Sequence, residues 1–491
     1  MTMTTASEPR RVQLLIGGEW VAGEGGEPLA LTSPATGERI ALVEQGTATD
    51  VDRAVAGAQR ALEPLRRMTA FERAALCHRV ADALLSRREQ IARDLSLEQG
   101  KVYATEALGE VDTAAAMYRD AGECATRLES SVYQSSEARK RVFTIRQPRG
   151  VYGVITPWNF PLAIPSEYLS AGLATGNAIV WKPSEWTPLS AVHLMRAFLD
   201  AGVPDGTLNL LLGAPATVGG TLASHPGVAA IGLTGSTRTG DAVAGAAAGK
   251  PLLLELGGNG PTIVFADADL DRAAAQAAMG SFANAGQICN STERILVQRS
   301  AHDAFVERLL AAARDVRLGS PLADGTTMGP LTNEPTAAKV DAHVADAVAQ
   351  GAEILQGGGR AGDLPTRLYY EPTVIVGVHE RMLLNREETF GPVAPVLTFE
   401  DEADALRLAA TCRLGLNGSL WTRDLSRALR VAERLGTGTV NVNETSAYWQ
   451  PHTPVGGFTG SGSGIGRLGG MQTLLEMTQL KTITIDVEEA P

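Results

Sequence analysis

Cysteine is scarce in this chain, with four in 491 residues: Cys77, Cys124, Cys289 and Cys412. They are too few and too scattered for a disulfide framework, and no CxxC pair suggests zinc, so a reducing cytoplasm and no metal site are expected. No apolar run reaches the roughly 18 to 20 residues that cross a bilayer, and the opening MTMTTASEPRRVQ lacks the apolar centre of a secretory leader. A soluble protein without a membrane partner is expected. Positive charge is in deficit: 43 Lys and Arg face 55 Asp and Glu, a formal net charge of -12. That balance repels phosphate backbones and argues against a nucleic-acid partner. The chain also has no GxGxxG fingerprint, no Walker lysine motif, no internal repeat and no low-complexity tract.

What is present is ordinary globular material, 44% apolar and 20% charged, in a chain longer than one core usually organises. Two or three domains are expected. From Gly150 to Glu255 short β-branched runs (GVYGVIT, NAIVWKP, TLNLLLG, VAAIGLTG) alternate with helical stretches, which predicts a parallel sheet covered by crossover helices. Ser190 can cap one of these helices and Gly202 can end it. A second α/β series runs from Pro261 to about Asn443, with a long Ala-rich helix from Asp269 to about Ala285, a strand ERILVQ, and a capping-box form at Ser300-Ala-His-Asp303. The basic stretch between Arg127 and Gly150 and the final LKTITIDVEE stand apart from both series. These two strands can pair with each other or with a second subunit.

Several segments carry chemistry-bearing residues. Cys289 lies in FANAGQICNS, on a polar turn after the Ala-rich helix. A thiol there can meet substrate, although most lone cysteines are packing residues, and its activation needs a base or fixed dipoles. Glu255 ends the apolar strand of PLLLELGGNGP, at the carboxyl edge where α/β sheets collect ligands. Burial there would raise its pKa and make it a general base for a thiol or a water; a strand-end acid in water is the plainer alternative. Asn159 in ITPWNFP sits on a rigid segment that suits an oxyanion donor or a turn-bonding amide. LTGSTRTG reads as a strand, turn and helix start, which can attract phosphate. In WKPSEWTP, Lys182 and Glu185 can reach a ribose or remain surface charges.

The ordered set ITPWNFP, WKPSEWTP, LTGSTRTG, LELGGNGP, GQICNS, EETFGPV, LNGSLWTRD and GGFTGSGSGIGR resembles the aldehyde dehydrogenase superfamily, from about residue 33 to about residue 485. The resemblance implies an α/β fold: a Rossmann-like parallel-sheet cofactor domain, an α/β catalytic domain of related topology and a small β oligomerisation element. It divides the chain into a first cofactor-domain part (1–126), oligomerisation strands (127–149), the second cofactor-domain part (150–254), the catalytic domain (255–445), a substrate-side loop and return segment (446–470) and an oligomerisation tail (471–491). A homodimer or homotetramer is implied. Motif by motif, Cys289 matches the nucleophile, Glu255 the general base and Asn159 the oxyanion donor, helped by the Cys289 backbone N–H.

For the cofactor, Ile155, Thr156, Pro157 and Trp158 lie in the first matching motif. Lys182 and Glu185 match the adenosine-ribose contacts, Ser236 and its turn would meet the pyrophosphate, and Glu388 and Phe390 match the residues that hold the nicotinamide ribose and ring. Ser184, Gly213, Gly235 and Leu256 are further cofactor contacts that the resemblance implies. Glu185 can accept from a ribose 2′-OH and repels a 2′-phosphate, which favours NAD while leaving NADP open. By position, Ile164, Glu167, Tyr168, Ile288, Asn290, Tyr448, Trp449 and His452 should line the substrate tunnel. Relatives acting on succinic semialdehyde carry Arg where Glu167 stands, so the expected small-molecule substrate is an uncharged aldehyde, with an aromatic one in view. Tyr168 and Gln479 replace the Lys and Glu thought to extend the proton relay in many members. The alternatives are a coenzyme A-acylating dehydrogenase, disfavoured by Glu255, and a catalytically silent binding or structural homologue, disfavoured by the persistence of Cys289, Glu255 and Asn159.

Overall fold

A computed structural model of the chain describes residues 10–487; residues 1–9, read above for a leader, lie outside the described residues. The β-branched runs from residue 150 onward form five parallel strands, in spatial order Leu252–Glu255, Ala230–Thr234, Val151–Ile155, Ala178–Lys182 and Leu208–Leu210. The chain enters at the middle strand, adds two on one side, then returns to add two on the other. With helices on the faces, Ala178–Lys182 and Ala230–Thr234 are buried at every position, the pattern of near-continuous apolar strands in a doubly covered sheet. The reversal of strand order opens a crevice at the carboxyl ends of Val151–Ile155 and Ala230–Thr234, where open α/β sheets take their ligands.

Antiparallel pieces complete the sheet: Leu14–Ile16 and Glu19–Val21 at one edge, Gly464–Ile465 at the other. The segment 446–470 therefore returns to the first sheet, where Gly464 pairs with Glu255. Gly464 has φ +122°, and a Cβ there would stand 2.0 Å from the Leu254 carbonyl oxygen, so only glycine lets the return strand lie this close.

The second series builds a seven-stranded sheet in the order Glu353–Gln356, Thr373–Val376, Val393–Phe399, Arg294–Gln298, Pro261–Val264, Asn417–Trp421 and Thr439–Val442, parallel apart from the first. Each sheet has its own apolar core. One gathers residues from Val12 to Leu256 together with Leu468, Leu474 and Met477; the other runs from Ile263 to Leu435. The two outlying strands pair with each other: Lys140–Pro148 and Thr478–Asp486 run antiparallel, with Val132–Tyr133 as a third strand.

Two helix starts differ from the expectation. The helix Pro188–Asp200 begins at Pro188 after Thr187, since proline is preset for the first helical position. Ser190 lies inside it and gives its N–H to the buried Glu98 carboxyl at 2.8 Å. Gly202, at φ +69°, does follow the helix end. The Ser300–Asp303 capping box does not form either. A tight turn over Arg299–Ala301 leads directly into the helix His302–Arg314, and Asp303 instead accepts from His302 Nδ1 at 2.8 Å. The Ala-rich helix spans Leu270–Phe282, capped by the Asp269 side chain.

Candidate active site

The helix Leu270–Phe282 gives way to a tight turn in which Asn284, Ala285 and Gly286 take φ of 49°, 53° and 72°. Such left-handed geometry at non-glycine residues persists only where surroundings enforce it. Asn284 does much of that. Its backbone N–H donates to Glu106 at 2.6 Å, its Oδ1 accepts from Gln99 at 3.0 Å, and its amide donates to the Asn159 carbonyl at 3.2 Å. A Cβ on Gly286 would stand 2.1 Å from the Gly391 carbonyl oxygen, and one on Gly258 only 1.8 Å from the Cys289 carbonyl oxygen. The turn carrying Cys289 is thus wedged between two backbone segments, which fixes its thiol at the junction of the sheets.

Asn159 follows the strand Val151–Ile155 and is buried. One of its amide hydrogens goes to the Gln287 carbonyl at 3.0 Å, which leaves the second for another acceptor. Lys101, buried and paired with Glu110, donates to the Asn159 carbonyl at 2.9 Å, while Glu110 accepts from the Leu162 and Ala163 N–H groups at 2.9 and 3.1 Å. A buried ion pair therefore holds the loop of Asn159 to the helix Ala163–Thr175 that follows it.

Glu255 ends its strand inside the protein and, through burial, its carboxyl is pushed up to about 8, with the Cys289 thiol and the Thr234 hydroxyl pulling the other way. Burial, then Glu255, likewise hold the Cys289 thiol well above its ordinary range. Two groups that each resist carrying charge can pass one proton between them. Glu388 accepts from the Gly258 N–H at 2.9 Å. Phe390, at φ +62°, meets Trp158 edge-on with ring centroids 5.5 Å apart. The loop of Phe390 is held by buried Glu293, which accepts from the Thr389 and Phe390 N–H groups at 2.6 and 2.8 Å.

Two hollows converge on Cys289, Glu255, Thr234 and Ile164. One, of about 200 Å³, is apolar and bounded by Met117, Phe160, Leu416, Val455 and Leu468, with Glu167, Ile288, Asn290 and Trp449 also on its wall. The other, of about 380 Å³, is polar and reaches Pro157, Trp158, Asn159, Gly235, Ser236, Leu256, Glu388 and Phe390. Ser236 caps the helix Thr237–Ala246 by accepting from the Thr239 N–H at 3.2 Å, and Arg238 and Lys339 stand beside it. A helix start with two cations is a place for phosphate, and the cleft between it and Glu388 suits an extended dinucleotide.

Not every expected residue reaches these walls. Tyr168 is fully buried and bonds the Thr234 hydroxyl at 3.0 Å, behind the cavity rather than in it, because helix periodicity turns it toward the sheet. Tyr448 is exposed, with its hydroxyl accepting from Gln450 at 2.6 Å, and His452 is also at the surface, since both belong to turns that point outward. Ile155, Thr156, Lys182, Ser184, Glu185 and Gly213 lie outside both walls. Thr156 accepts from Trp181 at 2.9 Å, and buried Lys182 stands 3.5 Å from the half-exposed Glu185 carboxylate. Sequence reasoning missed Arg238, although it lies within LTGSTRTG. It also missed Glu293, four residues past the thiol, and Lys101, Glu110 and Lys339, which no local pattern marks.

A thiol facing a buried carboxylate, at the mouth of a nucleotide-shaped cleft in a doubly wound sheet, defines an oxidoreductase of the nicotinamide-dependent, cysteine-nucleophile class. The chain belongs to the aldehyde dehydrogenase family, whose sequence model matches residues 20–483. It is 39% identical to the 3-sulfolactaldehyde dehydrogenase of Pseudomonas putida over 96% of both chains. It is 38% identical to the NADP-dependent succinate-semialdehyde dehydrogenase of Escherichia coli, covering 97% of this chain and 98% of that one. Among solved structures, an NAD-dependent aldehyde dehydrogenase from Sinorhizobium meliloti matches at 39% identity and a TM-score of 0.94, over 98% of this chain and 96% of that one.

Proposed function

We propose that this enzyme oxidises an uncharged, predominantly apolar aldehyde to the free carboxylic acid, with NAD as the favoured cofactor. The single observation that carries the reading is the shared position of Cys289 and Glu255 where the apolar cavity meets the polar cleft. Cys289 Sγ attacks the carbonyl carbon as its proton passes to Glu255. The free amide hydrogen of Asn159, with the Cys289 N–H, donates to the oxyanion. A nicotinamide cofactor held along Ser236, Trp158, Glu388 and Phe390 would supply the acceptor for the hydride of this adduct, and Cys289 would then carry the acyl group as a thioester. Glu255 releases the thiol's proton to solvent and then takes a proton from water as that water adds to the thioester; the tetrahedral adduct collapses to the carboxylic acid, and Glu255 returns its proton to the departing Cys289 thiolate.

The cofactor cleft is read with its phosphates at Gly235, Ser236 and Arg238, the nicotinamide end at Trp158, Leu256, Glu388 and Phe390, and the adenosine ribose toward Lys182 and Glu185. The carboxylate of Glu185 supports NAD. Among the described residues no Lys or Arg lines the cavity, which, together with Glu167 there, supports an uncharged substrate, unlike the anionic aldehydes named for the two relatives above. Residues 1–126 and 150–254 are assigned to a cofactor domain and 255–445 to a catalytic domain. The three-stranded sheet, with Val132, Tyr133, Leu480 and Ile485 exposed on it, is assigned to subunit contact in a dimer or tetramer. The test is an aldehyde panel, apolar, aromatic and semialdehyde, followed by cofactor absorbance with NAD and NADP and with coenzyme A present or absent. Oxidation of apolar aldehydes with NAD alone is expected. A requirement for coenzyme A would overturn the hydrolytic mechanism, and turnover confined to semialdehydes would overturn the uncharged substrate.

A further inference from the structure

The apolar cavity carries two polar groups that the chemistry above does not use. Trp449 lines it, and its indole Nε1–H is buried with no hydrogen-bond partner. Glu167 lines it from the helix Ala163–Thr175, and its carboxyl receives no hydrogen bond from any described residue. Of the other polar groups on the wall, Glu255, whose Oε1 is also buried without a partner, belongs with Cys289 to the chemistry above. Thr234 bonds Tyr168, Asn290 donates to the Ala447 carbonyl at 3.4 Å, and Cys289 and Glu255 act on each other.

We propose that Trp449 and Glu167 form a subsite for a hydroxyl group, so that the substrate is a hydroxyl-bearing apolar aldehyde of the hydroxybenzaldehyde kind. The inference rests on the oxidation of an uncharged aldehyde proposed above. An unpaired donor and an unpaired acceptor in one apolar hollow select the group that satisfies both. A carboxylate would accept from the indole but brings a charge into an apolar hollow whose described residues offer it no cation. An ammonium has no lone pair for the indole and finds no counter-charge in a neutral Glu167. A hydroxyl accepts from the indole N–H and donates to the Glu167 carbonyl oxygen. Burial and the neighbouring Glu255 hold the Glu167 carboxyl well above the usual carboxylate range, which favours the neutral acid and a neutral partner. The cavity, at about 200 Å³, exceeds the about 150 Å³ hollow that accepts benzene.

The test compares kcat/KM for meta- and para-hydroxybenzaldehyde with that for the methyl analogues, in the wild type and in Trp449→Phe, Glu167→Leu and Glu167→Gln. Each enzyme is its own control across paired substrates, so loss of folded protein cancels, as does the intrinsic reactivity of each aldehyde when enzymes are compared. The wild-type preference for hydroxyl over methyl is expected to fall about tenfold or more in Trp449→Phe and in Glu167→Leu, and to stay within about threefold in Glu167→Gln, which keeps the acceptor oxygen. An unchanged preference in all three variants, with methylbenzaldehydes still oxidised, would overturn the subsite while leaving the uncharged-aldehyde reading intact. Failure of the wild type on every benzaldehyde, beside turnover of succinate semialdehyde, would overturn both.

Discussion

Replacing Glu255 with Gln removes the carboxylate proposed above to take protons from the thiol and from the hydrolytic water. General-base catalysis contributes roughly 100- to 10,000-fold, and Gln keeps the shape of the side chain, so steady turnover should fall by that order. Hydrolysis of the thioester then loses the carboxylate proposed to activate its water. In rapid-mixing experiments the variant should therefore give up to one equivalent of reduced cofactor per site and then stall, and hydroxylamine should relieve the stall by attacking the thioester. The wild-type pH profile follows from the same carboxyl. With its pKa pushed up to about 8, the active carboxylate is present in roughly one molecule in ten at pH 7 and in roughly nine in ten at pH 9. Since the base works deprotonated, the base-limited rate should rise about tenfold over that interval and level off above it. A flat profile between pH 7 and 9, or near-normal turnover by Glu255→Gln, would refute the assignment.

Cys289→Ala should abolish aldehyde oxidation while cofactor binding, followed by fluorescence titration, persists; retained turnover would remove Cys289 from the mechanism. Asn159→Ala deletes an oxyanion donor and should lower kcat by about 100- to 1,000-fold, with little change in cofactor affinity. Glu185→Gln should improve kcat/KM with NADP relative to NAD by about tenfold, because a repelling charge near the 2′-phosphate disappears; a wild type that already prefers NADP strongly would contradict the role given to Glu185. Tyr168→Lys should not raise turnover. Tyr168 fills a buried site against Gly232, where a Cβ would lie 2.6 Å from its ring, so lysine there leaves a void and an ammonium without water.

The parallel sheets were legible because buried strands are written as short apolar, β-branched runs between glycine-marked turns, and VAAIGLTG and NAIVWKP need no distant context to be read. Cys289, Glu255 and Asn159 stood out for a different reason, the motifs that resemble the aldehyde dehydrogenase superfamily, and the structure brings all three to the wall of one cleft. Beside the nucleophile turn, Gly258 and Gly286 are required by close backbone contact. Capping at Ser190 and Asp303 misled because a local pattern cannot show that Pro188 already starts one helix, or that a turn runs unbroken into the other. Tyr168, Tyr448 and His452 misled because chain position says which loop faces a cavity but not which way each side chain turns. Lys101, Glu110 and Lys339 were silent because their roles exist only across segments far apart in the chain.

That division bears on how far similarity carries function. The groups proposed to make and hydrolyse the thioester sit on closely packed backbone: Gly258 admits no Cβ beside the Cys289 carbonyl, and Gly464 none beside Leu254. Identity of 38 to 39% over nearly the whole chain goes with a shared fold, at a TM-score of 0.94. The cavity wall is built otherwise. Glu167 and Trp449 are side chains projecting from a helix and a loop into a hollow, and exchanging either leaves the sheets untouched. A wall with no cation among the described residues gives an anionic aldehyde no counter-charge, where an arginine in place of Glu167 would supply one. The family thus follows from the whole chain, whereas the proposed substrate class rests on these few wall positions, and a cation returned to the cavity should raise turnover of an anionic aldehyde.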